Sequence, residues 1–332
     1  MGRSAFVLGG TGFVGTAAAE RLVAGGWDVT VASRATEPAI DVRHARLDRA
    51  DTTALRAALG DGVDVLVDVI AFTSVHARQL LDVEALAGSI VAISSAAVYT
   101  DDEGRTFEGE EVPELPVPVP ETQKTVEPSD DTYSGGKIAV ERTLLERATV
   151  PVTVLRPAAI YGPRARDARE WHFVKRALDR RPTVLLAWRG ASRFQTSSVR
   201  NLAELVALAA DRPASRVFNA ADEAAPTVQE ISLAIASVLG HEREEVLVDN
   251  DAIGTTPWSS PRPVVLDMEA ARTELGYADT VAYEPTLREA CDWLVAATSG
   301  RDWREILDKF AAYYPAAFDY EAEDAFLGRL SR

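Results

Sequence analysis

An α/β fold, a doubly wound parallel sheet followed by a smaller C-terminal α/β region, is what this sequence predicts, and three observations predict it. Over residues 4–157 short apolar runs alternate with segments whose apolar residues recur at helical spacing. The runs are apolar throughout, as strands are when both faces of a sheet are covered. A glycine-rich turn joins the first run to the first helical segment.

Taken in order, the strand runs are 5–8, 28–32, 42–47, 63–70, 89–93 and 152–155, with helical segments at 16–24, 52–59 and 74–87. Residues 101–131 break the rhythm, with eleven acidic residues, two basic ones and five prolines. That composition suits no regular element and reads as a long surface loop, either a lid or a loosely ordered insertion. Further on, helical segments at 171–179, 199–210, 228–239, 269–275 and 286–298 mix with short strands at 184–187 and 246–248. The expected division is a nucleotide-binding sheet domain over 1–165 and a mainly substrate-binding region over 166–332, some of whose segments return to the sheet. The tail beyond Arg301 carries Trp303, Phe310, Tyr313, Tyr314, Phe318, Tyr320 and Phe326. It is expected to be helical and packed, on its own chain or on a partner.

Composition narrows the function. The net charge of −16, from 35 basic and 51 acidic residues, argues against nucleic acid and anionic membranes as partners and leaves a small-molecule substrate. No apolar stretch approaches the roughly 20 residues of a membrane span, and the N-terminal segment lacks the pattern of a secretory signal. Cys291 is the one cysteine, which fits a reducing, cytoplasmic setting. His44, His76, His172 and His241 show no metal-ligand spacing, so no metal is expected. There is no G-x-S-x-G elbow, and Gly136-Lys137 lacks the rest of a P-loop.

The turn after the first strand holds Gly9, Gly12 and Gly15, spaced G-x-x-G-x-x-G, with Thr11, Phe13 and Val14 between them. Gly9 lets the chain leave the strand, Gly12 clears the approach of a pyrophosphate, and Gly15 lets the helix pack on the strand. The helix N-terminus offers uncommitted N–H groups and a partial positive charge to phosphate. The second strand ends at Ser33-Arg34, without the acidic residue that would bind the ribose 2′-hydroxyl of NAD. An arginine there suits the 2′-phosphate of NADP, so NADP is preferred and NAD remains possible.

Tyr133 and Lys137 lie four residues apart at the start of a helical segment, so they share one helix face. An ammonium beside a phenol stabilises the phenolate and equips it for proton transfer. Gly135 and Gly136 are costly inside a helix, and close approach of a cofactor would explain them. Ser95 follows the fifth strand, at the carboxyl end of the sheet, where it could hold a substrate oxygen.

These residues, with Arg156-Pro-Ala-Ala-Ile-Tyr-Gly-Pro163, stand in the order seen in the extended short-chain dehydrogenase/reductases, also called the NAD-dependent epimerase/dehydratase family, and the chain resembles that family over nearly its whole length. The resemblance implies a Rossmann-type sheet, a catalytic set of Ser95, Tyr133 and Lys137, and Lys137 on the nicotinamide ribose. It also implies adenine contact by Asp48, cofactor contacts at Ala71 and Pro157, and a homodimer through the helix carrying the Tyr-Lys pair. Ala96 and Ala97 replace the Asp-Glu pair of sugar-nucleotide dehydratases, which argues against dehydration. Ala159 replaces an asparagine that contacts the substrate diphosphate in many epimerases, while Arg193 resembles the family's phosphate-binding arginine. Ala96, Ala159 and Arg193 are thus the expected substrate contacts. The first expectation is an NADP(H)-dependent oxidoreductase acting on a small carbonyl or alcohol. The alternative is an NAD-dependent sugar or nucleotide-sugar epimerase, and a third class is a non-catalytic cofactor-binding or RNA-associated protein.

Overall fold

The computed structural model describes residues 2–34 and 37–330. The strands are β1 (Ser4–Leu8), β2 (Asp28–Ser33), β3 (Arg43–Arg46), β4 (Val65–Asp68), β5 (Ile90–Ile93), β6 (Val152–Pro157), β7 (Ala159–Tyr161), β8 (Thr183–Leu186), β9 (Thr196–Ser198), β10 (Arg216–Ala220) and β11 (Glu244–Leu247). The α-helices are α1 (Phe13–Ala24), α2 (Thr52–Leu59), α3 (Ser74–Val83), α4 (Tyr133–Arg147), α5 (Trp171–Leu178), α6 (Val199–Asp211), α7 (Val228–Leu239), α8 (Tyr283–Thr298), α9 (Trp303–Ile306), α10 (Asp308–Tyr313) and α11 (Tyr320–Leu330). They fall into two compact units. The first comprises 1–160, 197–223 and 266–280, and the second 161–196, 224–265 and 281–332.

A seven-stranded sheet of order β10-β6-β5-β4-β1-β2-β3 forms the first unit. Every pairing in it is parallel. The sheet has two buried faces, and the period of two along β1 divides its side chains between them. Ala5 and Val7 join Ala18 and Leu22 of α1 and Leu205 of α6 on one face. Phe6 and Leu8 join Leu55 of α2, Leu80 of α3 and Leu144 of α4 on the other. Strand β1 pairs with both β2 and β4, so the chain reverses its direction of winding there. Parallel sheets of this topology leave a ligand crevice beyond the strand ends at such a point.

Several elements differ from the sequence expectation. The fourth strand stops at Asp68 rather than 70, because the Asp68 carboxylate accepts the Ile70 N–H at 2.8 Å and turns the chain. Helix α1 begins at Phe13, directly after Gly12, rather than at 16. Strand β10 has no counterpart in the sequence reading; it lies at the sheet edge, where a short, mixed run suffices.

The acidic stretch 101–131 is tied to the rest of the first unit. Asp101 accepts the N–H groups of Glu103, Arg105 and Glu114 at 3.1, 2.9 and 2.8 Å. Val119 is buried and bridges to Leu266, and Asn219 of β10 donates to the Val119 carbonyl at 2.9 Å. The stretch has few regular elements because its hydrogen bonds run to side chains and to distant backbone.

The second unit holds the parallel pair β8–β11 and the helices α5, α7 and α8, which pack on one another. Phe173 stacks on Trp258 with ring centres 6.0 Å apart. The aromatic tail packs within this unit: Phe318 meets His172, Trp303 and Phe310 at 6.2, 5.5 and 6.0 Å. Arg176 of α5 ties it down, donating to the Ala317 carbonyl at 2.9 Å and to Glu323 at 2.5 Å.

Candidate active site

The glycine turn sits at the end of β1. Gly9 has φ +81°, outside the range of most side-chain-bearing residues, and its N–H donates to the Ala32 carbonyl at 2.9 Å. A Cβ on Gly15 would stand 2.2 Å from the Gly9 carbonyl oxygen, so only glycine permits this helix–strand contact. Gly10, which the sequence reading passed over, is equally confined, since a Cβ there would lie 2.5 Å from that of Val31. Gly12 is different. It is exposed, and a Cβ there would meet only the Gly9 oxygen, at 3.3 Å. Gly12 is also the N-cap of α1 and has no side chain to cap with, so the first N–H groups of the helix remain available to an anion. The turn therefore fits a pyrophosphate.

At the end of β2, Ser33 Oγ lies 3.0 Å from His44 Nε2, and Arg34 is exposed. Asp48 is exposed too, with its carboxylate accepting the Ala50 N–H at 3.0 Å. Pro157 ends β6, and the Ala71 carbonyl lies just beyond β4.

Helix α4 carries the Tyr-Lys pair, started by Thr132, whose hydroxyl accepts the Gly135 N–H at 3.1 Å. Tyr133 is 46% exposed, whereas Lys137, one turn on, is 2% exposed. Lys137 Nζ donates to the carbonyls of Ala71 and Ile93, both at 2.8 Å. It lies 4.2 Å from the Phe72 ring centre and 5.8 Å from that of Tyr133. An ammonium has three donors, so two carbonyls leave one for a ligand. Burial pushes the Lys137 ammonium down to about 8, opposed by the carboxylates of Asp68 and Glu141 and assisted by Arg49. The Gly135-Gly136 pair has a cause within the chain. A Cβ on Gly136 would stand 2.2 Å from the Phe72 carbonyl oxygen, and one on Gly135 2.7 Å from that of Ser129.

Ser95 caps the short 3₁₀ turn Ala96–Val98, accepting the Ala97 N–H at 3.1 Å. Its neighbour Ser94 is hydrogen-bonded to Glu141, two turns along α4 from Tyr133. Arg156 closes on Glu141, with Nη2 2.5 Å from Oε2 and Nε 3.1 Å from Oε1. Buried Asp68 pairs with partly buried Arg49, at 2.9 Å. The sequence reading gave no role to Phe72, Glu141, Asp68 or Arg49. The four-residue spacing of Tyr133, Lys137 and Glu141 was a readable signal for one of them.

Of the expected substrate contacts, Ala96 and Ala159 are buried. Arg193 belongs to the second unit and donates to the Ala225 carbonyl there. Among the described residues, no group of three or more His, Cys, Asp or Glu side chains is placed to hold a metal ion. No helix among them is long and apolar enough to cross a membrane.

Residues 5–221 match the model of the family described as the NAD dependent epimerase/dehydratase family. No curated protein sequence matches the chain. Among solved structures, the chain is similar to a UDP-glucose 4-epimerase from Thermotoga maritima with UDP-glucose, at TM-score 0.67 and 18% identity over 89% of this chain and 99% of that one. A UDP-N-acetylglucosamine 4-epimerase from Bacillus cereus aligns at TM-score 0.69 and 19% identity, over 87% and 98%. A UDP-glucose 4-epimerase from Thermus thermophilus, in complex with NAD, aligns at TM-score 0.64 and 20% identity, over 87% and 98%. At these identities the likeness carries the fold.

Proposed function

We propose, from the premise that this chain belongs to the NAD-dependent epimerase/dehydratase family, that it is a sugar or nucleotide-sugar epimerase working through a retained nicotinamide cofactor. The observation that carries this reading is the buried Lys137 ammonium beside the exposed Tyr133, on a sheet whose glycine turn fits a pyrophosphate. A bound nicotinamide would supply reversible hydride transfer. Tyr133 would take the proton of the substrate hydroxyl as that carbon is oxidised, and return it after the opposite face is reduced. Lys137 would hold the tyrosine near its phenolate form and reach the nicotinamide ribose with its third donor. Ser95 would orient the reacting oxygen. The 1–165 region would hold the cofactor and the later region, with Arg193, the substrate, and the UDP-sugars named for the similar structures make a nucleotide diphosphate the first substrate class to try.

A second reading, an NADP(H)-dependent reductase, is favoured by Ser33 and Arg34, which stand where an NAD-binding carboxylate would. On the same ground we take NADP as the preferred cofactor for either reaction.

The test is to incubate the purified protein with UDP-glucose or UDP-N-acetylglucosamine, follow the sugar by proton NMR, and identify any nucleotide released on denaturation. The epimerase reading expects the C4 epimer to form without added cofactor, together with released NAD(P). Oxidation of added NADPH by a carbonyl compound, with no epimer formed and no nucleotide released, would replace it with the reductase.

A further inference from the structure

We propose that Glu108, in the acidic stretch, is a positioning residue for Tyr133 that acts through Ser134 in the first turn of α4. This rests on the reading of Tyr133 as the proton-transfer group and adds to it a residue from outside the helix.

Tyr133 is the first residue of α4, and the first turn of a helix has N–H groups with no partner inside the helix. Helix ends fray unless something outside holds them. Tyr133 is also 46% exposed, so packing leaves its ring latitude and the backbone of this turn sets where the phenol stands. The Thr132 hydroxyl accepts the Gly135 N–H at 3.1 Å, and the Thr132 carbonyl accepts that of Gly136 at 2.9 Å. Ser134 is 2% exposed, so its polar groups need a partner from the protein. That partner is the Glu108 carboxylate, 26 residues back along the chain. The Ser134 hydroxyl donates to Glu108 Oε2 at 2.6 Å, and the Ser134 N–H is shared between Oε1 and Oε2 at 3.3 and 3.4 Å. One carboxylate thus holds both the backbone and the side chain of the residue after Tyr133. Its negative charge stands at the positive end of the helix dipole.

The neighbouring chain is arranged to keep Glu108 in place. Arg105 donates to Asp101 at 2.6 Å, and Asp101 accepts three backbone N–H groups of the same stretch. Phe107 packs against the core cluster that contains Tyr99 and Val119. The Gly109 N–H donates to the Thr106 carbonyl at 3.1 Å, closing a turn around Glu108. Other carboxylates of the stretch gather on arginines: Glu103 and Glu111 lie 3.2 and 3.6 Å from Arg105. Glu108 has no such cation among the described residues and is spent on the helix start instead. The stretch meets α4 a second time, where Glu127 pairs with Arg142 at 2.9 Å, well past the turn that bears Tyr133. That second contact joins the same stretch to the same helix and so serves as the control.

The experiment compares Glu108→Ala, Glu108→Gln and Glu127→Gln with the parent protein. Three readouts are taken: steady-state kinetics in whichever of the two proposed reactions the parent turns over, calorimetric titration with NADPH and NADH, and carbon NMR of protein labelled at the tyrosine ζ carbons. The Tyr133 signal is the one lost in Tyr133→Phe. The proposal expects Glu108→Ala to lower kcat by about 10- to 100-fold, the upper figure being the scale of a misplacement of about 1 Å, with nucleotide affinity changed less than about twofold. The Tyr133 signal should move toward that of free tyrosine. Glu108→Gln, which keeps a carbonyl oxygen for Ser134, should restore most of the turnover and of the signal, and Glu127→Gln should match the parent in both. Parent-like kcat in Glu108→Ala, or an unmoved Tyr133 signal, overturns the proposal. An equal loss in Glu127→Gln overturns it too, because the effect then belongs to the stretch as a whole. Should Glu108→Ala fail to fold, Ser134→Ala removes the 2.6 Å bond from the helix side and carries the same expectations. If the parent turns over neither reaction, the proposed function falls, and the Tyr133 signal still decides whether Glu108 positions the ring.

Discussion

Lys137 in the first unit and Arg176 in the second are both buried cations held by two backbone carbonyls, yet only Arg176 also touches a carboxylate. The difference separates a cation with a donor left over from one whose contacts include a carboxylate. Arg176, bonded to Glu323, has every reason to stay charged and anchors the tail to α5. Among the described residues Lys137 has no carboxylate in contact, its ammonium is pushed down to about 8, and two carbonyls leave one donor for a ligand. A buried group poised near neutrality is a common signature of a functional site.

The largest effect that would sharpen this contrast lies beside Lys137. Tyr133→Phe should lower turnover by about 10²- to 10⁴-fold, the usual contribution of a positioned acid–base group, with nucleotide affinity nearly unchanged. Steady-state kinetics and calorimetry check both halves, and undiminished turnover would remove Tyr133 from the chemistry.

Next in size is Arg176→Met, which takes from the buried Glu323 carboxylate its hydrogen-bonded partner and leaves it only Arg181, at 3.8 Å. Breaking such a pair costs about 3–5 kcal/mol. Urea denaturation should show that loss, and an unchanged midpoint would mean that the tail is held by its aromatic contacts and its other polar ones, such as Arg181 with Asp324 and Tyr320 with Asp179.

The pH dependence of stability comes third. Lys137 carries an ordinary value of 10.5 when unfolded and about 8 when folded. Between those values the unfolded chain binds the extra proton, so this group makes stability rise with pH, by up to ~3 kcal/mol across the window. Below about pH 8 it is charged in both states and the cost of burying it is fully present. Denaturation of cofactor-free protein at pH 7.5 and 10 should show that rise, and Lys137→Met should flatten it. The same rise in parent and variant would place its origin elsewhere.

The smallest test compares two helix caps. Thr132 caps α4 one residue before Tyr133, and Thr227 caps α7 with a full capping box. Removing either hydroxyl should cost about 1 kcal/mol. Only Thr132→Ala should also lower turnover, because it loosens the first turn that carries the tyrosine. Equal activity in both variants would show that the cap does not position Tyr133.

The parts legible in the sequence share a property: their partners lie within one turn or one strand of each other. Gly9, Gly12 and Gly15 could be read because a strand, a turn and a helix impose their spacing. Tyr133 and Lys137 could be read because helical residues four apart are neighbours. The two buried faces of the sheet followed from uninterrupted apolar runs. Strand β10 could not be read, because a five-residue edge strand following α6 carries too little periodicity to announce itself.

Sequence alone thus determined the parallel sheet, its glycine turn and the helix that bears the Tyr-Lys pair, since local geometry dictates each of them. Tertiary structure decided what surrounds them. Ala71 and Ile93, 66 and 44 residues from Lys137, supply the carbonyls that hold its ammonium. The Phe72 backbone requires Gly136 to be glycine. Glu141 is paired by Arg156 from the next strand, and Ser33 meets His44 from β3. Such contacts depend on strand order and register, which bring distant residues within a few ångströms, and a linear pattern carries no record of them until the sheet is formed.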